Sequence, residues 1–185
     1  MNTTLDRSRR FFISGGLADN TASNKVSSET TLPWLISQSA FDANCTRCGD
    51  CLTACPEDII VKDDNGFPTI NFSQSGCDFC GDCAASCKQD IFLAAESRTT
   101  AMAWQQDAHI NENCLAYQNV MCMSCLDSCD ASAISFNYQH KIARPSINIS
   151  ACTGCGFCQS SCPTHAISIT PIAAENATLE HYEHV

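Results

Sequence analysis

Apolar and polar positions change over in short bursts along this chain, and no apolar run approaches the 18 or more residues that span a bilayer. Two bursts read as strand, turn, strand. Asp58 to Lys62 is followed by Asp63-Asp64-Asn65-Gly66 and then Phe67 to Phe72. An apolar run, an Asn-Gly turn and a second apolar run predict a hairpin. The pattern returns as Ala133 to Phe136, a turn near Tyr138 to Lys141, and Pro145 to Ile149. The phrase Pro68-Thr69-Ile70-Asn71-Phe72 is echoed by Pro145-Ser146-Ile147-Asn148-Ile149. Short helical turns are predicted after Cys48, Cys80, Cys122 and Cys155. Residues 19–31 carry almost no apolar content and read as a flexible linker. Leu32-Pro33-Trp34-Leu35-Ile36 then breaks the polarity, either as a cover packed on the neighbouring unit or as a docking segment.

The bursts belong to a larger repeat. From Phe41 onward one unit recurs four times: F-DAN-C-TR-C-GD-C-LTA-C-PEDII, I-NFSQSG-C-DF-C-GD-C-AAS-C-KQDIF, I-NEN-C-LAYQNVM-C-MS-C-LDS-C-DASAI and I-NISA-C-TG-C-GF-C-QSS-C-PTHAI. Each copy opens on an apolar residue and returns to one four or five positions after its last cysteine: Ile59, Ile91, Ala133-Ile134 and Ala166-Ile167. The expected fold is α+β. Two tandem units, 41–97 and 108–172, are joined by a connector at 98–107. A flexible arm at 1–40 and an acidic tail at 173–185 flank them. Met102 and Trp104 in the connector are expected to pack between the halves.

Sixteen cysteines decide the chemistry. In a short secreted chain such density suggests disulfides, but runs of C-x2-C place thiols together for a shared metal. Zinc sites close one tetrahedron from two C-x2-C pairs set apart by a spacer. Here a third cysteine follows each pair at once and a fourth comes three residues later, which is the bacterial ferredoxin pattern for [4Fe–4S] clusters. In that pattern the fourth cysteine serves the partner motif's cluster. The ligand sets are then Cys45, Cys48, Cys51 with Cys87; Cys77, Cys80, Cys83 with Cys55; Cys114, Cys122, Cys125 with Cys162; and Cys152, Cys155, Cys158 with Cys129. Proline follows the fourth cysteine at Pro56 and Pro163, but Lys88 and Asp130 replace it in the second and third copies. The third copy also widens its first gap, from Cys114 to Cys122, which a bulging loop can absorb because closure costs grow slowly with length.

Charge and composition narrow the function. The formal charge is −10, and four all-thiolate clusters would take it to roughly −18. Such a field repels nucleic acid and favours basic partner surfaces. Without its cysteines the chain has a modest apolar supply, so cluster binding is expected to contribute much of the folding free energy. No nucleotide fingerprint, nucleophile elbow or metalloprotease helix is present. His109, His140 and His165 have no adjacent partner in sequence, and His181 and His184 in the tail read as solvated. The expectation is a non-enzymatic one-electron carrier with no membrane span. Arg9-Arg10 and the brief apolar stretch after them look like a twin-arginine export signal, yet the stretch is short and no A-x-A site follows. A basic arm, or an arm that imitates a signal and docks where one would, fits as well.

The chain also resembles the ferredoxin-type accessory proteins of periplasmic nitrate reductase. The resemblance rests on Cys45-Thr46-Arg47-Cys48-Gly49-Asp50-Cys51, on Gly66-Phe67-Pro68, on the widened motif ending Cys122-Met123-Ser124-Cys125, and on Cys152-Thr153-Gly154-Cys155-Gly156. The Arg9-Arg10 arm and Pro33-Trp34 match too. It implies a cytoplasmic iron–sulfur protein that helps mature the catalytic molybdenum subunit, NapA, before export. In that role Arg9, Arg10 and Trp34 are candidate docking residues. A subunit carrying electrons during turnover of a redox complex is the alternative.

Overall fold

A computed structural model describes residues 31–139 and 141–172; Arg9, Arg10, His140, His181 and His184 lie outside the described residues. The order of elements is α1 (Gln38–Asn44), α2 (Asp50–Ala54), β1 (Ile60–Lys62), β2 (Pro68–Ile70), α3 (Asp82–Ala85), β3 (Gln106–Ile110), α4 (Ser124–Asp127), β4 (Ile134–Asn137), β5 (Arg144–Ile147), α5 (Phe157–Ser160) and β6 (Ile167–Pro171), with short 3-10 turns between.

The two hairpins form where the apolar phrases place them. Ile60 faces Ile70 across β1 and β2, and Ile134 faces Ile147 across β4 and β5, both antiparallel. In the first turn, the Asp63 carboxylate accepts from the Asn65 and Phe67 N–H groups at 2.9 and 2.7 Å, which fixes the tight reversal.

Four of the five helices are the turns expected inside the cysteine runs. Three of these start after a glycine in the left-handed region: Gly49 (φ 86°), Gly81 (φ 82°) and Gly156 (φ 86°). Only glycine adopts that geometry without steric cost, so it swings each loop into its helix. The third copy has Met123 there, with φ −135°, and α4 starts by a different route.

Two features were not expected. Helix α1 forms because Ser37 caps it, its hydroxyl accepting from the Ala40 N–H at 3.1 Å, while Phe41 turns inward. Strands β3 and β6 pair antiparallel, Ile110 opposite Ile167 and Gln106 opposite Pro171. Strand β3 therefore takes Gln106 and Asp107 from the stretch expected to be connector. In the first half the same closure shrinks to one bridge, Leu35 to Phe92, with Ile36 N–H bonded to Ile91 O and Leu93 N–H to Trp34 O. The Leu32–Ile36 segment thus does for the first half what β3 does for the second.

One core runs through both halves, from Leu32, Trp34, Phe41, Ile59 and Phe72 to Ala108, Ile134, Ile167 and Ile169. Trp34 is 2% exposed and its indole N–H donates to Thr99 O at 2.7 Å, so its side chain packs and offers no surface for docking. Trp104 meets Phe72 and Phe79 edge-on at 5.9 and 5.6 Å, and donates to Thr31 O at 2.8 Å. Met102 departs from expectation: it stays 57% exposed at the end of a 3-10 turn, and Ala103 takes the buried place.

Between the halves, backbone meets backbone. The Cys77 N–H donates to Cys155 O at 2.7 Å. Gly76 lies so close to Phe157 that an added Cβ would stand 2.6 Å from that residue's backbone nitrogen, and at Gly156 it would stand 2.3 Å from the Phe72 ring. Within the second half, buried Gln106 holds the loop beside this seam, its amide donating to Gly154 O at 2.7 Å.

Candidate metal centres

None of the sixteen cysteines is in a disulfide, and the turns and strands above bring them into groups. Cys45 and Cys48 lie on the loop entering α2 and Cys51 in its first turn, and the chain returns past α3 to place Cys87 against the same cavity of about 80 Å³. Phe41, Ile91 and Phe92 wall it. A second cavity is lined by Cys77, Cys80 and Cys83 with Cys55 from the end of α2, backed by Ile59, Ile60 and Ile70. In the second half, Cys152, Cys155 and Cys158 share a cavity with Cys129, against Ile134, Ile147 and Ile169. The remaining thiols gather around Cys125, whose electrostatic neighbours are Cys114, Cys122 and Cys162. The Cys114–Cys122 insertion bulges outward, closed by a Val120 N–H to Leu115 O bond at 2.9 Å.

Burial pushes these thiols up. Desolvation is the first cause at Cys51 and Cys125, each raised to about 11, and at Cys77, Cys83 and Cys158, each raised to about 12. Neighbouring cysteines raise them further, because each thiolate disfavours the next. Four thiols sharing one partly buried space become thiolates most readily around a cation, and binding one would release their protons. The walls around three of the groups are apolar, and N–H groups already point at sulfur: Phe79 to Cys77 at 3.4 Å, Ala133 to Cys129 at 3.3 Å and Ala166 to Cys162 at 3.2 Å. Such bonds stabilise negative charge on the sulfurs and tune cluster potentials. These donors carry no side-chain signal; only the spacing of the following apolar residue hints at them.

Size separates a cluster from a single ion. A zinc site would hold its sulfurs about 2.3 Å from one centre. Here the thiols of three groups line hollows shared with apolar side chains. Four thiols around a hollow suit a bulky polynuclear group. His109 and His165 are exposed and stand apart from the cavities. Arg47 and Lys88 rim the first cavity; Lys88, in the place of the second copy's proline, pairs with Asp50 at 3.1 Å.

The 4Fe-4S dicluster domain family (Fer4_7) matches residues 44–91 and 120–166, once in each half. "Ferredoxin-type protein NapF" of Haemophilus influenzae is 43% identical over 141 residues, 76% of this chain and 78% of that protein. The protein of the same name in Escherichia coli K12 is 37% identical over 165 residues, 89% of this chain and 94% of that one. The chain belongs to the NapF family of ferredoxin-type proteins. "Ferredoxin-type protein NapG" of Escherichia coli K12 is more distant, 30% identical over 172 residues covering 81% and 74%. The second dicluster match begins at residue 120, inside the insertion, so Cys114 falls outside it while the other fifteen cysteines fall within the two matches. This chain is thus an iron–sulfur, ferredoxin-type member of that family, of mixed helix and strand with two tandem dicluster domains. Among its described residues no helix is long and apolar enough to cross a membrane.

Proposed function

We propose that the four cysteine groups each hold one [4Fe–4S] cluster with the crossed ligand sets: Cys45, Cys48, Cys51, Cys87; Cys77, Cys80, Cys83, Cys55; Cys114, Cys122, Cys125, Cys162; and Cys152, Cys155, Cys158, Cys129. Three cavities lined by the matching four thiols support this, as do the electrostatic neighbours of Cys125. Two units, 41–97 and 108–172, carry two groups each; the pairing of β3 with β6 draws the second unit's start back to Gln106.

The observation that carries the functional reading is the Cys77 N–H to Cys155 O bond. It sets the second and fourth groups side by side across the seam. Within each half the groups also adjoin, since Cys83 feels Cys51 and Cys158 feels Cys125. The groups therefore run in the spatial order first, second, fourth, third. Bound there, [4Fe–4S] clusters would supply one-electron transfer along that line. The protein's own part is to hold the thiols, keep water from the buried sulfurs and donate N–H bonds to them.

In this reading the protein is a non-enzymatic electron carrier of the cytoplasm that assists maturation of NapA, the catalytic subunit of periplasmic nitrate reductase, by binding it before export. Membership of the NapF family and the acidic charge, which suits a basic partner surface, support it. Arg9 and Arg10 are the docking residues that remain once Trp34 is seen to be buried. A pull-down from the cytoplasmic fraction tests it. Capture of the unexported catalytic subunit is expected; capture only of mature, exported enzyme would instead make this an electron carrier of turnover.

A further inference from the structure

Away from the cysteine cavities, an open groove of about 650 Å³ lies between the third copy's insertion and the β4–β5 hairpin. Tyr117, Glu112, Ile110, Asn137, Arg144 and Ser146 line it. Arg144 opens β5 as a half-buried residue, and its Nε–H is fully buried with no hydrogen-bond partner among the described residues. The Tyr117 ring flanks the guanidinium, 5.8 Å from centroid to Cζ, and the Tyr117 hydroxyl donates to Pro145 O at 3.4 Å. Among the described residues the one ion pair is Lys88 with Asp50, so even Glu112 on the groove wall does not reach Arg144. The guanidinium makes no ion pair among the described residues, so an arriving anion pairs with it without first breaking another.

Charge and apolar surface describe the arriving group. Lys141 and Arg144 are the only Lys or Arg between residues 108 and 172, in a chain of net charge −10, so this hairpin is a positive spot on an acidic molecule. Exposed apolar side chains stand beside it: Val120 (49%) and Met121 (77%) on the insertion that carries Tyr117, and Tyr138 (74%) next to Asn137.

We propose that this groove binds a peptide segment of a partner protein through one Asp or Glu side chain flanked by an apolar residue. The carboxylate pairs with the Nη groups of the Arg144 guanidinium that lines the groove, whose planar fork matches two carboxylate oxygens. The apolar neighbour covers Val120, Met121 or Tyr138. Glu112 repels a second acid, so the groove selects an isolated carboxylate rather than an acidic run. Charge pairing of this kind fixes the register of a complex. The insertion begins at Cys114, so the segment docks beside the third cysteine group, at one end of the line. That significance rests on the electron-carrier reading above; the binding itself does not.

The test is an array of hexapeptides pairing Asp or Glu with Leu, Ile, Phe or Met, probed with the anaerobically purified full-length protein, followed by dissociation constants for the bound peptides. Wild type is expected to bind a subset whose Asn or Gln counterparts fail. Arg144→Ala is expected to weaken that binding at least tenfold, and Arg144→Lys, which keeps the charge but loses the fork, to weaken it nearly as far. Iron content and visible spectrum are read alongside, and should Arg144→Ala lose its cofactor, Arg144→Lys carries the comparison. No carboxylate-dependent binding, or binding unchanged in the variants, overturns the groove. Neither result depends on whether the unexported reductase subunit is captured, so failure of the groove and failure of the maturation reading remain distinct.

Discussion

Cys114 carries the least obvious assignment in the molecule. Cys122 stands eight positions after it, where the other copies leave three, yet the Cys114 thiol is among the neighbours that raise Cys125. The insertion keeps it there by folding on itself, with the Tyr117 N–H bonded to Cys114 O at 3.0 Å and the Ala116 side chain buried. If Cys114 is a ligand, Cys114→Ala should lower the iron content by one iron where the third cluster opens, and by about four where it is lost. Iron per chain, measured anaerobically, checks this; wild-type iron in Cys114→Ala contradicts the assignment. The sixteen candidate ligands were legible from spacing, because thiolates that share a cluster must recur at fixed short intervals. Arg144 was not legible, since a lone arginine ahead of a proline carries no pattern, and only the fold shows its Nε–H buried without a partner.

At the scale of elements, the seam between the halves depends on Gly76 and Gly156, which have no side chain. Gly81 and Gly156 share nearly the same left-handed backbone, but an added Cβ meets nothing within 4 Å at Gly81 and the Phe72 ring at 2.3 Å at Gly156. The pair separates backbone strain from packing. Both alanine variants pay the strain, and Gly156→Ala should lose about 1–3 kcal/mol more from overpacking. Anaerobic denaturant unfolding of the holoprotein checks the difference; equal losses would mean that the seam is not tightly packed. The hairpins and the short helices were legible because Asn-Gly turns, apolar phrases and cysteine-loop glycines act locally. The β3–β6 pair was not, because it joins segments about sixty residues apart and β3 reads Gln-Asp-Ala-His-Ile, too polar to announce a strand. Helix α1 hid for a similar reason: its one buried residue, Phe41, is the apolar residue that opens the first repeat.

Across the whole molecule, duplication explains the architecture better than any single unit does. Each half closes on itself, through β3–β6 in one and the Leu35–Phe92 bridge in the other, and the halves then share one core with Trp34, Trp104, Phe72 and Phe79 near the junction. That junction sets the second and fourth cysteine groups together, leaving the first group at one end beside Arg47 and Lys88 and the third at the other beside the Arg144 groove. Were each group to hold a cluster, as proposed, a line of four with chemically different ends would suit a protein that takes electrons from one partner and passes them to another. The claim on which all of this depends is the number and kind of the clusters. Iron and acid-labile sulfide in anaerobically purified protein, with Mössbauer spectra to identify the cluster type, test it most directly. The account predicts about sixteen irons and about sixteen sulfides per chain, all in [4Fe–4S] form. A colourless protein rich in zinc, or one that saturates at about eight irons, would contradict it.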